Sequence, residues 1–216
     1  MSNSLFAQTS IENLDPFVLF NDLPFDTNID KYGIDQSQCE ENLTIYNEFY
    51  KQKSYDSAIR SWLYLFLNAP KRTKNIYIHG ANMYKNFIKN EQDSLKKEIL
   101  IDNLMFIYDQ RNLFYPGQEG KVLGLKGADL YRYRKNSLIS LEKAYDILKE
   151  AFDNSQEKTQ ARALNYYFQA GARLTSKKVL SKENLIALFS DLTTMIDYKE
   201  ATINQVNFNL SSKEDM

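Results

Sequence analysis

The feature that most constrains this chain is an apolar repeat of helical period that begins at Ser37 and continues to Tyr198. Leu43, Tyr46 and Tyr50 recur at three- and four-residue steps, and so do Ala58, Trp62, Leu65 and Phe66. That spacing lines one face of an α-helix and leaves the other face to water. Most of the stability of such a helix comes from packing its apolar stripe against another element. Breaks interrupt the repeat at Lys51-Gln52-Lys53-Ser54, at Ala69-Pro70 and at Pro116-Gly117. A residue before proline resists the α conformation, so Ala69 closes a helix. Further periodic segments run from Asn75 to Lys89, Asp93 to Phe114, Gly120 to Arg134, Ser137 to Phe152, Thr159 to Leu174 and Ser181 to Tyr198. Ser54, Ser137, Thr159 and Ser181 stand where N-caps belong. The pattern predicts an all-α fold of eight helices, paired in four antiparallel hairpins over residues 37–198.

The flanks read differently. Residues 8–36 form an irregular arm, with Asp15, Asp22, Asp26, Asp30 and Asp35 scattered among Pro16, Pro24 and Gly33. Its apolar island Phe17-Val18-Leu19-Phe20 is expected to dock on the helical body, because four exposed apolar residues in a row are unfavourable in water. Residues 199–216 read as a polar tail, with Val206, Phe208 and Leu210 able to form a short extra element. Within residues 1–7, Leu5-Phe6-Ala7 followed by Gln8 reads like the end of an export signal, with small Ala7 before the cut. The expected location is therefore exported, in the periplasm or cell envelope, with a cytoplasmic protein as the alternative. No apolar run approaches the ~18 residues of a membrane span. The formal net charge of -1 speaks against a dedicated nucleic-acid binder, which needs many cations on one face.

The segment from Tyr50 to Ile59, followed by Trp62, Leu65 and Pro70, resembles a tetratricopeptide repeat. The resemblance puts Ala58 on the small residue where helix B crosses helix A. It puts Trp62 on the large aromatic that faces helix A of its own hairpin, and Ile45 and Phe49 on the bulky positions of helix A. Asn42 and Tyr46 depart from the pattern, standing where a Trp and a small residue are usual. Ala144, Leu148 and Ala151 replay the helix-B pattern. Ala144 lies 86 positions after Ala58, whereas two standard units span about 68 on a ~34-residue repeat. The hairpins are thus longer than standard, and the second carries Leu104 where alanine is usual. The chain also resembles exported repeat proteins of the Bacteroidetes type through its Phe-Ala-Gln leader end, Tyr108-Asp109-Gln110-Arg111 and Asn165-Tyr166-Tyr167-Phe168-Gln169. The resemblance implies a tetratricopeptide-like α-solenoid with a concave face lined by A helices. Carried over residue by residue, it places Glu40, Leu43, Asn47 and Tyr50 on that face as partner-binding residues.

Little in the chain reads as chemistry. His79 is the only histidine and Cys39 the only cysteine, so common zinc sites and a disulfide framework are not available. A Cys39–His79 nucleophile pair has no local motif behind it. No phosphate-binding glycine loop occurs, and Gly124 and Gly127 are expected to permit close helix contact. The basic runs Lys71-Arg72-Thr73-Lys74 and Arg132-Tyr133-Arg134-Lys135 fall at helix ends, where cations suit the carbonyl terminus. The expected function is a non-catalytic protein–protein interaction module, with no cofactor and no metal, that holds a peptide or partner helix. The alternative is a structural or assembly subunit of a cell-envelope complex, marked by an apolar patch on an end hairpin.

Overall fold

A computed structural model describes residues 17–20 and 26–214, with side chains described through Asn204. The leader pattern at Leu5 to Gln8 and the tail residues Val206, Phe208 and Leu210 as side chains lie outside what is described. The described residues are all-helical, with no strand among them. They divide into two compact units between Gly117 and Gln118.

The first unit holds α1 (Gln36–Lys51), α2 (Tyr55–Asn68), α3 (Asn75–Asn90) and α4 (Ser94–Phe114). Asp35 caps α1 by accepting from the Gln38 N–H, and Asp93 caps α4 by accepting from Leu95 and Lys96. Lys53 closes α1 at φ 59, with the Ser54 N–H donating to Phe49 O and the Lys53 N–H to Tyr50 O. That is the left-handed closure which satisfies the last carbonyls of a helix. Ser54 stands at the start of α2, but its side chain makes no cap bond there.

Trp62 is fully buried, and its indole is engaged by α3. Its indole N–H donates to Ile76 O of α3 at 2.6 Å, and its ring lies on Gly80. A Cβ at Gly80 would sit 2.3 Å from the ring, so the missing side chain on α3 opens the space that the ring fills. α1 departs from the repeat pattern. It buries Cys39 and Tyr46, while Ile45 and Phe49 are more than a third exposed. Tyr46, standing where a small residue is usual, turns its ring into the space between α1 and α3.

The island of the arm is docked at Phe20. This ring is fully buried against Trp62, Phe66, Tyr84 and Phe106, with centroids 5.1–6.3 Å away.

The second unit holds α5 (Glu119–Arg134), α6 (Leu138–Ser155), a single 3-10 turn (Gln156–Lys158), α7 (Ala161–Ser176) and α8 (Lys182–Glu214). Ser137 and Ser181 cap as expected, accepting from Ser140 and Asn184. Thr159 does not, because the 3-10 turn ends there; its hydroxyl is buried and Gln160 takes the cap position of α7. Gly124 and Gly127 permit close approach. A Cβ at Gly124 would meet Ala163 at 3.1 Å, and one at Gly127 would meet Leu148 at 2.6 Å. Fully buried Asp129 of α5 accepts from Arg162 of α7 at 2.7 Å. The core gathers Leu148, Ala163, Leu164, Tyr167, Leu188 and Leu192. α8 does not end at Tyr198 but continues to Glu214, so the expected polar tail is helical through most of its length. At 1.5 Å per residue it is roughly 50 Å long, about twice α7.

Candidate interaction surfaces

The residues placed on a partner-binding face by the repeat pattern lie along the α1–α3 seam, and two of the four make specific contacts inside the unit. Glu40 receives both arms of the Arg72 guanidinium, from Nε and Nη2, each at 3.0 Å. Arg72 comes from the turn between α2 and α3 and also covers the Tyr32 ring, 5.2 Å from its centroid. Planar pairing of this kind fixes orientation as well as charge, and the bond to Glu40 raises the guanidinium above its ordinary value. Tyr50 stacks on His79 with centroids 3.8 Å apart and accepts from Asn82 Nδ2 at 2.9 Å. Leu43 and Asn47 are half-buried on the same side of α1.

His79 and Cys39 are not brought together. His79 meets α1 at Tyr46 and Tyr50, and Tyr46 lies roughly 10 Å along the helix from Cys39. The Tyr46 hydroxyl lies 3.3 Å from His79 Nδ1. Burial raises the phenol and lowers the imidazole, so both are neutral near pH 7. Cys39 is buried beside Arg72, its thiol raised by that burial. Among the described residues no group of three His, Cys, Asp or Glu is placed to hold a metal ion. No helix among them is long and apolar enough to cross a membrane.

The surface that sequence reasoning missed lies in the second unit, where α7 and α8 leave an open groove of about 510 Å³. Leu164, Phe168, Phe189, Leu192, Ile196 and Ile203 line it, with Asn165, Lys199 and Glu200 at its polar edge. α8 makes this groove because it carries two apolar stripes. Leu188 and Leu192 turn into the core. Phe189, Ile196 and Ile203 follow one another at seven-residue steps and are 57%, 52% and 59% exposed. A seven-residue step nearly returns to the same face of a helix, drifting about 20° each time, so this second stripe runs almost straight. The Phe168 and Phe189 rings face each other across the groove at 5.9 Å. At the far end the Lys199 ammonium donates to Glu157 O of the 3-10 turn and ties α8 down there. The seven-residue recurrence was the available signal. It was obscured because the sequence pattern ended the helix at Tyr198 and so left Ile203 off it.

Comparison with protein-family models, with curated proteins and with solved structures gives no significant match.

Proposed function

We propose that the protein is a non-catalytic interaction module, a tetratricopeptide-like array of helical hairpins, and that its working surface is the groove of its last hairpin. One observation carries this reading: three large apolar side chains, each more than half exposed, line up along α8 beside the groove. Contiguous exposed apolar surface with a polar rim marks an interaction site. A long groove walled by two helices suits an amphipathic helix laid lengthwise, its anchors at three- and four-residue steps.

The position of the groove bears on which kind of module this is. A peptide receptor of the repeat type would keep its open apolar surface on the face of its first helices. An assembly subunit keeps it on an end hairpin, where the next element of a complex would stack. Here it lies on the last hairpin, which favours the assembly subunit. If Ala7-Gln8 is the end of an export signal, that complex belongs to the cell envelope.

A photo-crosslinking residue at position 189 or 196 tests this in the native host. The expected outcome is a single crosslinked partner from both positions and none from position 95, which is 77% exposed on the first unit. Equal crosslinking from all three positions, or none, ends the reading.

A further inference from the structure

Residues 17–20 are held in the first unit the way a groove holds a bound peptide. Asn103 of α4 is fully buried and meets this segment with both ends of its amide. Its Oδ1 accepts the Phe20 N–H at 2.9 Å, and its Nδ2 donates to Val18 O at 2.7 Å. Both bonds go to main chain and carry no preference for a side chain at Val18. Specificity comes from two rings three residues apart. Phe20 fills a box of Trp62, Phe66, Tyr84 and Phe106. Phe17 stands edge-on to Phe87 at 5.3 Å. A main-chain clamp combined with side-chain pockets is a recurring way of recognising a peptide, and here the clamped segment is a turn. The groove does not stop at the segment: a recess of about 270 Å³ continues beside Phe17, edged by Asp56, Asn86, Asn90, Glu91 and Gln92.

We propose that this groove of α2, α3 and α4 is a receptor site for a turned Phe-x-x-Phe segment of a partner protein, and that the chain's own Phe17–Phe20 occupies it in cis as a competitor. Asn103 is the main-chain clamp, the box around Phe20 is the principal pocket, and Phe87 is the second. A tethered segment is present at an effective concentration of about millimolar. An incoming segment therefore binds well only when the arm is weakened or displaced, and the arm sets the threshold for binding.

The test uses the full chain and a fluorescein-labelled peptide of residues 15–22, followed by anisotropy. With Phe20→Ala, which empties the pocket, the peptide is expected to bind saturably, and at least about tenfold more tightly than to the wild type, where the arm competes. Adding Asn103→Ala to Phe20→Ala should weaken binding by about tenfold or more, which is about 1.4 kcal/mol. A peptide with alanine in place of its second phenylalanine should not bind. A Phe20→Ala chain that keeps wild-type helicity and a cooperative melt but does not bind the peptide overturns the proposal. So does equal binding with and without Asn103. Should Phe20→Ala fail to fold, a protease site placed between Asn28 and Ile29 allows the folded wild-type chain to be nicked. The nicked chain is expected to stay folded and to exchange its arm for labelled peptide, and melting on nicking or refusal of the peptide overturns the proposal. Ile196→Asp, in the other unit, should leave peptide binding unchanged, so this site and the α7–α8 groove stand or fall separately.

Discussion

The two units solve the same packing problem with different side chains. The largest fully buried side chains, among them Trp62, Tyr46, Tyr77, Tyr84, Tyr108, Phe20 and Phe66, all belong to the first. The second closes on leucine, alanine and glycine around the core ring of Tyr167, with Tyr145, Phe152, Tyr166 and Phe168 at its margin. Big rings leave space between helices that other rings must fill, and the first unit recruits its arm to complete the box. Small residues bring helices together, as at Gly124 and Gly127, and need no filler. They also leave α8 with more apolar surface than α7 can cover. The first unit is closed by its own chain and the second is open.

Four measurements can break or sharpen that contrast. Trp62→Ala should have the largest effect, roughly 3–5 kcal/mol of lost stability in denaturant unfolding, because the ring supports α2, α3 and Phe20 together. The native Trp62 emission should be that of a buried indole; emission at the wavelength of solvated indole would show that the first unit is not closed. Gly127→Ala in the second unit should cost about 1–3 kcal/mol through contact with Leu148, reduced by the better helix propensity of alanine. A neutral or stabilising result would mean that α5 and α6 have room to part.

The third measurement concerns His79. Burial lowers its folded-state pKa below the ordinary value of 6.5, so the folded state binds fewer protons than the unfolded state in that range. The stability it contributes is complete above pH ~6.5 and is lost as the pH falls towards the folded value. His79→Gln should flatten the dependence of unfolding free energy on pH between about 7 and 5; an unchanged slope would mean that the stack on Tyr50 leaves the imidazole as it is in water. The smallest stability change belongs to Ile196→Asp, within about 0.5 kcal/mol, as befits a side chain already in solvent. Partner crosslinking from position 189 should nonetheless disappear. A large loss of stability would place Ile196 in the core and close the groove.

The helices were legible because period and breaks agree along most of the chain, and the burial of Ala58, Trp62 and Leu104 followed from them. The contact of Trp62 with α3 was not legible. It is decided by Gly80, on another helix, and nothing local to Trp62 announces that vacancy. The side of α1 that turns inward was not legible either. Tyr46 takes the inward place because His79 waits for its hydroxyl across the seam, and the two are 33 positions apart. Glu40 and Tyr50 could be placed near that seam, but their partners Arg72, His79 and Asn82 come from other elements. α8 ran past its expected end for a simpler reason: neither glycine nor proline follows Gly171 in the chain, so no residue stops the helix.

The docking of the arm has a consequence in time. Its two hydrogen bonds join residues 83 and 85 positions apart, whereas α1 with α2 and α3 with α4 are near neighbours in the chain. Distant contacts carry a loop-closure cost that must be met before they contribute anything. In refolding, the helices of the first unit should therefore assemble before Phe20 arrives. Trp62 is the only tryptophan and touches that ring, so its emission belongs to the last step while circular dichroism follows the earlier ones. The two signals should separate in a stopped-flow trace, with fluorescence the slower, and in Phe20→Ala they should merge.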